Sequence, residues 1–322
     1  MAITNMKSMR GLLGRASIPL ALLGAIILFS ALRPETFPTS TNFTAVVSTQ
    51  AALLFISLAV TIVLATGDFD LSVGAVAGLS MTLIAVLTVQ HGWAWPAAAA
   101  AALGMGLLVG LIQGALISFM GLNAFIVTLG SNTILIGVAT GVSAGQTVGP
   151  VPEGLVTIAT KQWLFNLPLF ILYGLVLVAL IWYVFSHTPL GRYMVFVGDG
   201  PETAKLAGLP VRAIKLGAFV CAALICALGG VLYAGQLGAA DPSVGPALLL
   251  PAYAAAFLGA TTITPGRFNA WGTFFSLYLV ATCVTGLQLL GLPLWTESVF
   301  VGAILIAAIA FAKLTSRSSD GT

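Results

Sequence analysis

Along the chain, long apolar stretches alternate with short polar breaks. Ten such stretches run near 17–33, 43–65, 71–89, 95–118, 124–143, 164–185, 215–236, 247–263, 270–290 and 295–312. A helix needs about 20 mostly apolar residues to cross a hydrocarbon core of roughly 30 Å, so each stretch predicts one membrane span. The stretches are continuously apolar and lack the alternation of a membrane barrel. Lipid offers no partner to free backbone groups, which leaves helices as the spanning element. The breaks at 66–70 and 119–123 carry no Lys or Arg. A broken helix replacing the second or third span is the alternative there.

Composition excludes a water-soluble chain. Of 322 residues, 59% are hydrophobic and 7% charged, whereas soluble domains carry about 25% charged residues. The net charge of +3 is too small to imply a nucleic-acid partner. Cys221, Cys226 and Cys283 lie inside apolar runs without metal or disulfide spacing, so they read as small buried residues and no metal is expected. The first stretch follows Lys7, Arg10 and Arg15 as a signal peptide does. The Arg33-Pro-Glu-Thr-Phe-Pro segment after it lacks a small-x-small cleavage site, and the stretch reads as the first span.

Cations set the orientation. With the N-terminus inside and ten crossings, the inner side receives Lys7, Arg10, Arg15, Arg192, Lys205, Arg212, Lys215, Arg267, Lys313 and Arg317. The outer side receives Arg33 and Lys161. Ten of twelve on one side predicts both termini in the cytoplasm. Gly106, Gly110 and Gly114, then Gly137, Gly141 and Gly145, recur at four-residue spacing. That spacing forms a helical stripe suited to close helix packing.

No phosphate loop, no H-E-x-x-H and no G-x-S-x-G elbow occurs, and the two histidines, His91 and His187, sit at interfaces. No catalytic residue is expected. If a nucleotide drives transport, another chain hydrolyses it. Three features remain. In Thr66-Gly-Asp-Phe-Asp-Leu-Ser-Val-Gly, Asp68 and Asp70 lie close to membrane depth. An acid at the centre of a membrane helix costs about 2.5–3.5 kcal/mol. Asp70 reads as an N-cap accepting from backbone N–H groups around Ser72 and Val73, as a lining to a substrate path, or as an ion-coupling site. Residues 186–215 form a long inner segment whose Gly198-Asp-Gly-Pro-Glu-Thr-Ala-Lys-Leu-Ala-Gly208-Leu-Pro210 spells a short helix. Asp199 or Gly200 suits the N-cap, Pro201 the first turn, Glu202 an Asp-x-x-Glu capping box, and Gly208 the C′ position. About eight residues make a rod near 12 Å long. Ala204, Leu206 and Ala207 are read as exposed, suited to a groove on another protein or to the membrane surface. Third, Gly259 to Gly272 holds a Pro265-Gly266 turn whose Thr and Asn residues form either an interhelical turn or an inner gate.

These residues resemble the permease subunits of ATP-binding-cassette (ABC) importers for ribose, xylose, arabinose, galactose and related monosaccharides, a family related more distantly to branched-chain amino acid permeases. The resemblance rests on Asp70-Leu-Ser-Val-Gly74, Asn123-Ala-Phe-Ile-Val-Thr-Leu-Gly130, Thr188-Pro-Leu-Gly-Arg192 and Ala204-Lys-Leu-Ala-Gly-Leu-Pro-Val211, in order from about Phe43 to Lys313. It implies an all-α polytopic membrane bundle of the cobalamin-importer type (type II), one permease domain over 1–322. It also implies pairing with a second copy or a paralogue, docking on ABC ATPase subunits, and delivery of sugar by a periplasmic binding protein, in the bacterial inner membrane and without a cofactor. The matching inner segment of the family holds the coupling helix, which carries that role onto Arg192, Asp199, Glu202, Ala204, Lys205, Leu206, Ala207 and Gly208. Path or gate positions fall on Asp68, Asp70, Ser72, Asn123, Phe125 and Thr128. The family often has glycine where Asp68 stands. Branched-chain amino acids, nucleosides or a sugar-derived signal molecule are the alternative solutes. An ion-coupled carrier using Asp68 and Asp70 is the alternative from another class.

Overall fold

The computed structural model describes residues 2–163 and 167–317, with side chains placed for 16–163 and 167–310. Lys7, Arg10, Arg15, Lys313 and Arg317 of the cation count, and residues 164–166 of the sixth stretch, lie outside what is described at that level. Among the described residues, fifteen α-helices follow in chain order: α1 (Ala2–Leu32), α2 (Ser40–Thr49), α3 (Ala51–Leu64), α4 (Val73–Ala85), α5 (Trp95–Ser118), α6 (Ala124–Val142), α7 (Glu153–Thr160), α8 (Leu169–His187), α9 (Pro189–Asp199), α10 (Pro201–Leu206), α11 (Val211–Leu237), α12 (Val244–Ala247), α13 (Leu249–Gly259), α14 (Ala270–Leu289) and α15 (Trp295–Arg317). A π-helical turn, Val86–Gln90, prolongs α4. Among the described residues there is no strand, only the isolated bridges Val148↔Ala240 and Gln162↔Pro168.

Among the described residues, six helical segments are long and apolar enough to cross a membrane: Val73–Gln90, Trp95–Ser118, Ala124–Val142, Leu169–His187, Val211–Leu237 and Ala270–Leu289. A seventh forms if α2 and α3, bent by 42° at their junction, are one span. The bend falls inside the second stretch, which one unbroken helix was expected to fill. Shorter apolar helices, Ala16–Leu32, Val244–Gly259 and Trp295–Ala310, occupy the first, eighth and tenth stretches. The protein is a polytopic helical membrane protein.

Local chemistry sets the helix starts. Thr39, Asn123, Thr188 and Asn269 each accept from a backbone N–H in the first turn of the helix that follows. Each thereby satisfies a donor that a helix start leaves orphaned. Pro96, Pro189 and Pro201 stand at first-turn positions, where a missing N–H costs nothing.

The chain divides into two compact units: residues 51–249, and the segments before 51 and after 249. In the first unit α11 is central and packs against α3, α4, α5 and α7. α4 lies between α5, α6 and α12, and α3 also meets α8. Every residue of α3 is buried, so the whole circumference is apolar or hydroxylic rather than amphipathic. Its hydroxyls fold back: Ser57 Oγ donates to Leu53 O and Thr61 Oγ1 to Ser57 O, which keeps polar atoms satisfied where water is absent. In the second unit α14 meets α1, α2 and α15. Ala254, Val280, Val284 and Val301 form a core there.

Candidate translocation node and coupling segment

The link between α3 and α4 holds both acids. Asp70 is buried, and its Oδ1 accepts from Ser72 N at 2.8 Å and from Ser72 Oγ at 2.6 Å. Bonding two residues ahead makes it an Asx turn that leads the chain into α4. Burial pushes the Asp70 carboxyl above the usual range, while the two bonds from Ser72 pull the other way. Ser72 in turn lies 2.9 Å from Gln113 Nε2, a buried amide on α5. Gln113 is a site residue that the sequence reasoning missed. Its signal was legible: a lone amide within the apolar run Leu111-Ile-Gln-Gly-Ala-Leu-Ile117, where an unpaired polar group is costly.

Thr128 of α6 is buried, with its Oγ1 3.5 Å from Phe69 O and 2.7 Å from Ala124 O. Asp68, Asp70, Ser72, Gln113 and Thr128 therefore converge on one link. Asn123 and Phe125 do not join them. Asn123 is exposed and caps α6, its Oδ1 accepting from Phe125 N at 2.9 Å, and the Phe125 ring is exposed. Asp68 faces α11, where Lys215 Nζ stands 2.9 Å from its Oδ2 and 3.0 Å from its Oδ1.

The inner segment is two helices. α9 is amphipathic, burying Gly191, Met194 and Val197 while Arg192 is exposed. Its last residue is Asp199, so the N-cap of α10 is Gly200 and no side-chain bond caps it. The expected Asp199–Glu202 capping box is thus replaced by a Gly start with Pro201 at the first turn. The α10 end matches a Schellman motif: Leu209 N donates to Ala204 O at 3.0 Å and Gly208 N to Lys205 O at 3.0 Å. Gly208 takes φ +81°, open to glycine at little cost. Ala204 is fully buried, not exposed as its pattern suggested, because α10 packs against α9 and α11. Leu206 is 89% exposed, and Glu202, Lys205, Ala207 and Gly208 are exposed as well.

The two glycine stripes differ. A Cβ at Gly106 would stand 2.6 Å from Ala227 Cβ, at Gly110 2.7 Å from Val220 Cα, and at Gly114 2.7 Å from Leu216 Cδ1. All three let α5 and α11 meet backbone to backbone. At Gly137 and Gly141 nothing lies within 4 Å of a Cβ, and Gly145 sits past the end of α6 in a turn at φ +68°. Among the described residues the close packing expected of that stripe is absent, since α6 buries its other face through Thr128, Leu135 and Ala139. The turn after α13 is tied by Asn269, whose Nδ2 lies 3.2 Å from Gly259 O, 3.1 Å from Thr262 O and 3.1 Å from Arg267 O. Among the described residues, no three His, Cys, Asp or Glu side chains converge to hold a metal ion.

Apolar helices of spanning length, with a polar node buried at a helix start, define a polytopic helical membrane protein. The chain belongs to the family described as the branched-chain amino acid transport system / permease component, which matches residues 42–309. It is similar to the fructose import permease protein FrcC of Rhizobium meliloti, 32% identical over 305 residues, covering 92% of this chain and 84% of that protein. It is similar also to the D-allose transport system permease protein AlsC of Escherichia coli (strain K12), 28% identical, covering 91% and 89%. The autoinducer 2 import system permease protein LsrC of Photorhabdus luminescens is 27% identical, covering 83% and 80%. No solved structure matches the chain.

Proposed function

We propose that this chain is the membrane-spanning subunit of an ABC importer in a bacterial inner membrane, passing a small sugar inward by alternating access. The observation that carries the reading is near-full-length similarity to permeases named for fructose and D-allose import. On this reading the ten apolar segments all cross the membrane in a type II, cobalamin-importer-like arrangement, and residues 1–322 form one permease domain with both termini cytoplasmic. The exposed face of α10, with Leu206 and Ala207 at its tip, docks on a separate ATPase subunit that hydrolyses ATP. A periplasmic sugar-binding protein delivers the solute, and a second copy or a paralogue completes the pore within the lipid. The similarity to an autoinducer 2 permease keeps a sugar-derived signal as the second reading.

The ion-coupled alternative is disfavoured by the pairing of Asp68 with Lys215, which leaves that carboxylate already neutralised by a partner. The test is reconstitution of the chain with its ATPase and binding protein in proteoliposomes. ATP-dependent uptake of radiolabelled fructose or D-allose is expected, and deletion of residues 199–208 removes ATPase co-purification. Uptake by the chain alone, driven by a proton or sodium gradient, refutes the reading.

A further inference from the structure

The α3–α4 link is gripped from both flanks of α10. On the upstream side, a Cβ at Gly198 of α9 would collide with Ala65 O, and one at Gly67 would stand 3.0 Å from Gly198 O and 3.2 Å from Gly198 Cα. Only glycine at both positions permits this backbone contact, and Gly67 holds φ +79° besides. On the downstream side, Lys215 in the second turn of α11 pairs with Asp68, with side chains only 18% and 12% exposed. The two contacts lie on residues 65–68, directly before the Asp70–Ser72–Gln113 node and the Phe69 carbonyl beside Thr128.

We infer that Asp68 and Lys215 act as a strap, positioning residues that make the α3–α4 link follow any displacement of α10 and so deliver it to the polar node. The glycine contact alone resists compression, because two backbones in van der Waals contact can part freely. The ion pair resists separation. A push and a pull on α10 are therefore both transmitted only while Asp68 and Lys215 are paired. Partial burial keeps solvent and salt from screening the pair as they screen an exposed one. The strap rests on the proposed coupling role of α10.

The test uses the full chain with its ATPase partner in lipid nanodiscs, carrying Cys221→Ala, Cys226→Ala and Cys283→Ala and one spin label at Phe69→Cys. The Phe69 ring is 42% exposed and open to labelling. ATP with vanadate is expected to change the label's spectrum in this background. Asp68→Asn and Lys215→Met, which leave only the glycine contact, each diminish that change while the ATPase still co-purifies, and the swap Asp68→Lys with Lys215→Asp restores it. Retention of the full change in either single variant overturns the strap. Where a single variant fails to assemble, the swap decides: an assembled swap without the nucleotide response, or a swap that also fails to assemble, overturns it. Loss of co-purification in the parent refutes the ATPase-coupling reading instead, and a parent that responds to nucleotide but moves no sugar refutes only the substrate.

Discussion

Replacing Gly110 by leucine tests the packing of α5 on α11 directly. The first added carbon would meet Val220 Cα at 2.7 Å, Ala223 Cβ at 3.0 Å and Phe219 O at 3.0 Å. Unstrained carbon contacts stand at roughly 3.5–4.0 Å, so the helices must part by about 1 Å even before the rest of the side chain is placed. None of the three obstructing atoms is the end of a flexible side chain, so the backbone itself has to shift. Lipid tails are as apolar as leucine, and the parted helices lose dispersion contacts with no hydrophobic gain in return. Overpacking of this kind costs about 1–3 kcal/mol. Thermal denaturation of the detergent-purified protein is the assay. Gly110→Leu and Gly106→Ala are expected to lower the midpoint, Gly114→Ala less so because Leu216 Cδ1 can swing aside, and Gly137→Ala not at all. A Gly110→Leu protein as stable as its parent, or a Gly137→Ala protein equally damaged, refutes the assignment of close packing to the first stripe alone.

Asp70→Asn keeps an oxygen for both Ser72 bonds and removes a carboxyl that burial disfavours in its charged form, so thermal stability at neutral pH is expected to hold or rise and ATP-driven uptake to persist; abolished uptake would favour ion coupling. Because the native Asp70 pKa is raised, the folded protein binds the extra proton, and its contribution to stability falls as pH rises from the ordinary carboxyl range to the native value; Asp70→Asn flattens that portion of a stability–pH curve. Asp70→Leu strands the buried Ser72 N–H, leaving the hydroxyl to Gln113, and is expected to cost about 1–3 kcal/mol, read by the same denaturation assay. Gly208→Val forces a branched residue to φ +81°, costing roughly 1–2 kcal/mol at the α10 end, and is expected to weaken ATPase binding in a pull-down where Gly217→Ala, in open space, does not. Asp241 is held below the usual carboxylate range by Ser243 Oγ and N, and then Thr147 Oγ1, so the local loop contribution is present above the ordinary carboxyl pKa and lost as pH falls through the native value; Asp241→Ala should remove that acid-side dependence in hydrogen exchange of residues 238–243.

Sequence periodicity alone located the apolar segments, because a membrane leaves one way to satisfy the backbone and that way writes itself as long apolar runs. Local rules likewise foretold Gly208 at C′, since a cap needs only neighbours two to four residues away; Asp70 does accept from Ser72 N, but as a turn ahead of the helix, because the N-cap of α4 is Ser72 and not Asp70 as its pattern suggested. Which glycines pack was not legible: Gly106 and Gly137 head identical four-residue repeats, and only the position of α11 beside α5 makes one a contact and leaves the other facing outward. Ala204 looked exposed because its burial depends on α9 and α11 folding over it. Gln113 joined Ser72 across 41 residues of chain and Lys215 joined Asp68 across 147, distances over which no local pattern carries information. Short-range chemistry thus determined the helices and their ends, while the pairing of polar groups between helices was decided only by tertiary packing, where a buried charge or amide must find a partner that lies far away in sequence.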